Sequence, residues 1–349
     1  MKILKPYAFP PNLLNAIIKT YENTKARVIT PDGETAFFDI VAGVLQGDTL
    51  APYLFAIVLD YALRKAIAGR EEDLGFQLHR RRSRRTPAVV VTDLDFADDI
   101  ALVSQQIEGA QEMLVRIETE ANNVGLHLNT TKTEAMVFNV SQPIILTAKN
   151  GSPIKIVENF KYLGAWMHST EKDFSVRKAL AWSTCNKLRM ILSSQLSRKI
   201  KVRIFVATVE SVLLYGAESW TLTTALKKQL DGCYTRMLRM AVDVTWKERL
   251  TNDQLYQDLQ RVSDKLAQRR LRLAGHCVRH EEEVASDLVL WQPIEGRVSR
   301  GRRRKTFVDT LLEDTGLDNA AELKTRMMDR TTWKVHVEAV AGRPDGRHR

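Results

Sequence analysis

The sequence predicts an α+β fold that passes into helical regions, and three observations carry that expectation. Short apolar stretches bracketed by turn residues recur between residues 26 and 164, and amphipathic helical spacings separate them. Beyond Thr170 the strand signals largely stop while helical spacing continues. With 349 residues, 44% of them hydrophobic, the chain can form two or three compact units with real cores. The expected units are residues 1–169, a mixed β-sheet with helices on one face; 170–245, helical; and 246–349, basic and mostly helical.

Pro10 and Pro11 open a helix whose Leu13, Leu14, Ile17, Ile18 and Tyr21 fall at helical spacing, ending near Asn23. Ala26 to Thr30 and Thr35 to Val41 read as strands joined at Pro31-Asp32-Gly33-Glu34, a hairpin-type turn. The second strand leads into Gly43-Val44-Leu45-Gln46-Gly47-Asp48. Two glycines four apart with an amide between them suit a backbone that approaches a ligand closely while one side chain hydrogen-bonds it. From Ala51 the register is helical, with Leu54, Val58 and Ala62 on one row and Phe55, Leu59 and Leu63 on the next. His79 to Arg85 then places five arginines in seven positions, either a solvated loop or a segment for phosphate contact or nuclear targeting.

Asp93-Leu94-Asp95-Phe96-Ala97-Asp98-Asp99-Ile100 lies between two apolar runs. Val89 to Thr92 and Ile100 to Val103 read as short buried strands, which puts Asp98 and Asp99 in the tight turn joining them. Adjacent carboxylates repel, and a magnesium ion, which takes hard carboxylate oxygens, would relieve that repulsion. A polar hairpin turn accounts for the same residues, since Asp is common in turns. Next come Ile107, Ala110, Leu114, Ile117, Ala121 and Val124 at unbroken 3,4,3,4,3 spacing, a helix laid on a sheet. Gly125 to Asn129 caps it, and a strand is expected from Ala135 to Phe138 after Thr131-Lys132-Thr133-Glu134.

Phe160 to Gly164 is β-like again. Val202, Phe205, Val206, Val209, Val212 and Leu213 mark one later helix, and Leu226, Leu230, Tyr234, Met237, Leu238 and Ala241 another. A basic helix follows around Leu266 to Cys277. Gly296 to Lys305 holds six cations, either an arm that contacts nucleic acid or a solvated linker. Most of the six tryptophans are expected to anchor cores.

The net charge of +10 favours a polyanionic partner, most simply nucleic acid. Three widely spaced cysteines point to a reducing compartment, neither a disulfide framework nor a zinc knuckle. His276, Cys277 and His280 could be drawn as ligands, yet no second ligand pair stands at a usual spacing, so a solvated helix face is the simpler reading. Neither a signal peptide nor a membrane span is expected, which leaves a nuclear or cytoplasmic location.

Gly43 to Phe55, followed some forty residues later by Phe96-Ala97-Asp98-Asp99, resembles a reverse transcriptase, and five blocks agree in order. Leu214 to Trp220, Arg270 to His276 and the arginine-rich Gly301 to Lys305 are similar to the C-terminal region of non-LTR (LINE-type) retrotransposon polymerases. The resemblance implies a palm domain with part of the fingers, then a helical thumb. It places Gln46 and Gly47, with Phe96 and Ala97, at the incoming nucleotide and template base, and makes Asp98 and Asp99 ligands of catalytic Mg2+. Lys132 would protonate the leaving pyrophosphate, Tyr162, Leu163 and Gly164 would form the primer grip, and Arg302, Arg303, Arg304 and Lys305 would contact nucleic acid. An RNA template, a DNA primer and deoxynucleotide triphosphates are the implied partners. The family's other essential aspartate would fall just ahead of residue 1, so the expectation is an N-terminally truncated polymerase fragment, inactive as this chain. The alternative is a non-catalytic retroelement remnant that binds nucleic acid.

Overall fold

The computed structural model describes residues 3–340 apart from 41–42, 46, 82, 84, 86, 141, 168, 258 and 293–304. Gln46 and Arg302 to Arg304 therefore lie outside the described residues. The chain divides into two compact units, Met1–Val157 and Glu158–Arg349.

The first unit is mixed α and β. Helix Pro11–Tyr21 begins with proline at its first position, where the missing N–H is no loss. Helix Ala51–Ile67 presents the two apolar rows seen in the sequence to two different places. Leu54 packs with Leu4 and Ile17, while Leu59 and Leu63 pack with Met113 and Ile117 of helix Ile107–Asn123. That second helix ends as expected: Gly125 sits at φ +81° and the Leu126 N–H returns to the Ala121 carbonyl at 2.9 Å. Its other side, through Leu114, covers Leu146 and Ile154.

The strands are shorter than the sequence suggests, and they pair locally instead of joining one broad sheet. Lys25–Ala26 pairs with Phe38–Asp39 and Ile29–Thr30 with Gly33–Glu34, so the expected hairpin forms in two pieces. Thr35 breaks the ladder between them, because its hydroxyl oxygen accepts the Val28 N–H at 3.0 Å. The strand expected over Ala135 to Phe138 shrinks to Glu134–Ala135, which runs parallel to Pro153–Ile156. Phe76–His79 pairs with Val89–Val91, and Asp93–Phe96 pairs with Asp99–Leu102.

The second unit is almost wholly helical after one hairpin, Lys161–Tyr162 with Ala165–Trp166. Helices Thr170–Lys187, Arg198–Phe205 and Thr224–Ala241 enclose a core of Phe174, Phe205, Leu213, Trp220, Leu230, Tyr234 and Met237. Between Phe205 and Ser211 the middle helix widens into a π turn, Val206–Glu210. Glu210 is buried there, accepting from the Tyr234 hydroxyl at 2.6 Å and pairing with Lys265 Nζ at 2.7 Å. Helix Val262–Arg279 spans two cores: Val262 and Leu266 belong to the first, Leu271, Ala274 and Val278 to a second built with Leu311, Leu323, Met327 and Trp333. Of the tryptophans expected to anchor cores, Trp220 and Trp333 are buried and Trp182 packs against the first core half-buried, while Trp166 and Trp291 are only half-buried. Among the described residues, no helix is long and apolar enough to cross a membrane.

Gly275 marks where the second core is tightest. A Cβ at this position would lie 2.2 Å from Nε1 and 2.5 Å from Cδ1 of Trp333, whose Nε1–H donates to the Leu271 carbonyl at 3.0 Å. Alanine is better than glycine inside a helix by roughly 1 kcal/mol, but overpacking a core costs about 1–3 kcal/mol. Gly275→Ala should therefore lower the thermal midpoint, whereas Gly232→Ala, on helix Thr224–Ala241 with nothing within 4 Å, should raise it. Thermal unfolding followed by circular dichroism checks both signs.

Candidate active site

The Asp-Asp turn differs from its sequence reading in two respects, the strand that pairs across it and the place of Asp99. The partner of Asp99–Leu102 is Asp93–Phe96, not Val89–Val91, which pairs with Phe76–His79 instead. The alternation of Asp93 and Asp95 with Leu94 and Phe96 is what a two-faced strand requires. Only Ala97 and Asp98 form the loop, and Asp99 already belongs to the strand opposite Phe96. Ala97 adopts φ +54°, a conformation that tight hairpin loops demand and that costs a non-glycine residue about 1–2 kcal/mol.

Register sorts the side chains. Asp93, Asp95, Ile100 and Leu102 share one face, and Leu94, Phe96, Asp99 and Ala101 the other. Ile100 and Leu102 pack into the core between helices Ala51–Ile67 and Ile107–Asn123, so theirs is the helix-covered face. Leu94 and Phe96 are exposed at 43% and 62%, so the face bearing Asp99 is open. Asp98, at the tip, is exposed as well. The turn thus holds two hard carboxylate groups at the end of a hairpin whose back packs on helices and whose front is exposed. The donor type fits Mg2+. The number does not complete a two-ion centre: among the described residues, the one group of three His, Cys, Asp or Glu ligand atoms within 4.8 Å of one another is His280, Glu282 and Glu283, in the other unit.

Behind the turn sits a second set of carboxylates that the sequence reading left without a role. Partial burial, the adjacent Asp93 and then Asp60 push the Asp95 carboxyl up to about 7. Asp60, on helix Ala51–Ile67, accepts from the Tyr7 hydroxyl at 2.6 Å and pairs with Arg64 at 2.9 Å. Burial and that Asp60 bond raise the Tyr7 phenol to about 12, so it remains a donor. The signal in the sequence was the i, i+2 pair Asp93 and Asp95. It became interpretable only when Ile100 and Leu102 showed which face was covered.

The glycine segment has both glycines at positive φ, +89° for Gly43 and +88° for Gly47, which justifies glycine at each. Asp48 then fixes the entry to helix Ala51–Ile67: it accepts the Leu50 N–H at 3.1 Å and the Tyr21 hydroxyl, and that hydroxyl holds its carboxyl below the usual range. Lys132 is exposed on a turn organised by Asn129, whose carbonyl accepts the Lys132 and Thr133 N–H groups at 3.1 and 3.0 Å. Tyr162, Leu163 and Gly164 belong to the second unit, where Leu163 and Gly164 form a two-residue loop at φ +47° and +81°. Lys305 turns inward, with its ammonium on the Leu222 carbonyl at 3.0 Å and paired with Glu313.

Residues 2–167 match the family of reverse transcriptases (RNA-dependent DNA polymerases). The Pol polyprotein of the type-1 retrotransposable element R2 from the beetle Popillia japonica is 24% identical over 248 residues, 68% of this chain and 39% of that one. The corresponding R2 polyprotein of Nasonia vitripennis is 30% identical over 135 residues. Residues 2–167 belong to the reverse transcriptases, and the R2 polyproteins that the chain is similar to are those of non-LTR retrotransposons. A transposon-derived protein of Caenorhabditis elegans is similar over more of its length, 26% identical across 261 residues that cover 70% of this chain and 94% of that protein. The reverse-transcriptase chain spans well under two thirds of the R2 polyproteins it matches. The match to the family ends at residue 167, just past the Tyr162 hairpin, so the Asp-Asp turn and the glycine segment both lie inside it.

Asp95 gives the site a measurable pH dependence. Its folded-state carboxyl, near 7, binds a proton more tightly than an unfolded Asp near 3.9. The folded state therefore holds the extra proton between about 4 and about 7, and stability falls as pH rises through that window. Asp95→Asn should raise the thermal midpoint at pH 8 and leave it nearly unchanged at pH 4. Equal shifts at both pH values would refute the assignment.

Proposed function

We propose that this reverse transcriptase contributes the palm and thumb of an RNA-directed DNA polymerase that copies a retroelement RNA onto a DNA primer. The observation that carries this reading is the Asp98-Asp99 turn on the open face of its hairpin, inside the matched region. Magnesium, when bound, would supply the Lewis acid that steadies the attacking and leaving oxygens in nucleotidyl transfer. Asp98 and Asp99 would hold it. Gln46 and Gly47 would lie against the incoming deoxynucleotide, with Phe96 and Ala97 beneath the template base pair. Lys132, exposed on its turn, would give a proton to the leaving pyrophosphate. Tyr162, Leu163 and Gly164 would grip the primer. Arg302, Arg303 and Arg304 would add phosphate contacts, and the inward pairing of Lys305 supports leaving that task to the three arginines. A nuclear or cytoplasmic site of action goes with this role.

A second reading has its own observation. Among the described residues no third carboxylate joins Asp98 and Asp99, which favours a chain that binds nucleic acid without extending a primer by itself. A primer-extension assay with the 349-residue chain, RNA template, DNA primer, nucleotides and Mg2+ separates the two. The expected outcome is binding without extension. Extension that Asp98→Asn abolishes would establish the enzyme and show that another carboxylate completes the centre.

Nucleic-acid binding itself should be largely electrostatic, given the +10 charge. Affinity should drop steeply between roughly 50 and 200 mM salt, with little dependence on sequence. Replacing Arg302, Arg303 and Arg304 with alanine should flatten the salt slope by about one per arginine that touches phosphate. Filter binding across a salt series measures it.

A further inference from the structure

The Leu163-Gly164 loop is held from behind by two side chains for which the reading above has no task. The Tyr215 hydroxyl donates to the Leu163 carbonyl at 2.9 Å, and the Arg177 guanidinium donates to the Gly164 carbonyl. The guanidinium also lies over the Tyr215 ring, 4.3 Å from its centre. Both central carbonyls of the loop are thus tied to one stacked Arg-Tyr pair. Arg177 is 9% exposed, and its Nε lies 3.9 Å from Asp173 one helical turn earlier. That buried carboxylate accepts the Trp166 N–H at 3.1 Å, from the same hairpin, and the Trp220 indole N–H at 2.7 Å. A Cβ at Gly164 would touch both members of the pair, at 3.4 Å from Tyr215 and 3.5 Å from Arg177.

This is more support than a two-residue loop needs to close. Hairpin pairing between Tyr162 and Ala165 already sets its ends. The extra contacts fix the orientation of its two central peptide planes instead. In a trans peptide the N–H points opposite its carbonyl, and the chain has no cis bonds among the described residues, so anchoring the Leu163 carbonyl on Tyr215 aims the Gly164 N–H away from that ring. Leu163 holds a left-handed conformation at φ +47°, which without such anchoring would relax.

We infer that Arg177 and Tyr215 are positioning residues for the primer grip: they orient the Leu163-Gly164 peptide planes toward nucleic acid without touching it. The inference rests on the primer-grip reading proposed above.

Tyr215→Phe removes the hydroxyl and keeps the ring under Arg177, so the fold is retained. Arg177→Lys keeps the charge and loses the planar stack. Affinity is measured for a recessed-end RNA–DNA primer-template and for single-stranded RNA by fluorescence anisotropy. Amide exchange across residues 161–166 reports on the loop in the same proteins. The native chain should prefer the recessed-end duplex. Tyr215→Phe should weaken that complex about fivefold, the effect of one neutral hydrogen bond, and leave single-strand binding unchanged. Arg177→Lys should do more, with faster exchange at the loop amides in both. Native-like duplex affinity in both variants would overturn the inference while leaving the primer grip intact. A native chain with no preference for the recessed end would show that the primer-grip reading itself is wrong, and the inference falls with it.

Discussion

Two four-residue strands joined by a two-residue loop do not hold a fixed shape in water. The Asp98-Asp99 turn depends on the apolar contact that Ile100 and Leu102 make with the core between helices Ala51–Ile67 and Ile107–Asn123. Everything proposed for the turn follows from that contact. It decides which face is covered, and with strict alternation along the strand it decides that Asp99 and Phe96 look outward. It also holds Ala97 in a backbone conformation that an isolated peptide would leave.

The same contact divides the four aspartates of the hairpin into two classes. Asp98 and Asp99 sit at the open end, where solvent and a cation can reach them. Asp93 and Asp95 share the strand face of Ile100 and Leu102, and partial burial, Asp93 and then Asp60 raise the Asp95 carboxyl to about 7. Two pairs of like residues within seven positions thus do different electrostatic work because a strand alternates.

In the second unit, buried polar groups play the part that sheet pairing plays in the first. Asp173 joins the hairpin to Trp220, Glu210 joins Tyr234 to Lys265, and Arg270 pairs with Asp314, whose carboxyl burial nonetheless raises. Each link fastens segments distant in sequence. Removing one partner of such a pair strands the other in a low-dielectric interior, so each pair is costly to break.

The sequence by itself determined several of the helices and pointed to the family. Apolar spacing located the helix beginning at Ala51, the one at Ile107 and the one spanning Leu226 to Ala241, because a helix face is written in residues three and four apart. Gly125 announced the end of its helix for the same local reason, and it takes positive φ. Motif order was enough to indicate the family. Tertiary structure decided what local pattern cannot carry. The strands are two to four residues long, too short to show a period, so their partners had to be found by packing: Asp93–Phe96 became a strand, and Val89–Val91 turned to Phe76–His79. The raised carboxyl of Asp95 depends in part on Asp60, a residue of a distant helix. Arg177 and Tyr215 met the Leu163-Gly164 loop only because Asp173 and a helical core brought them there.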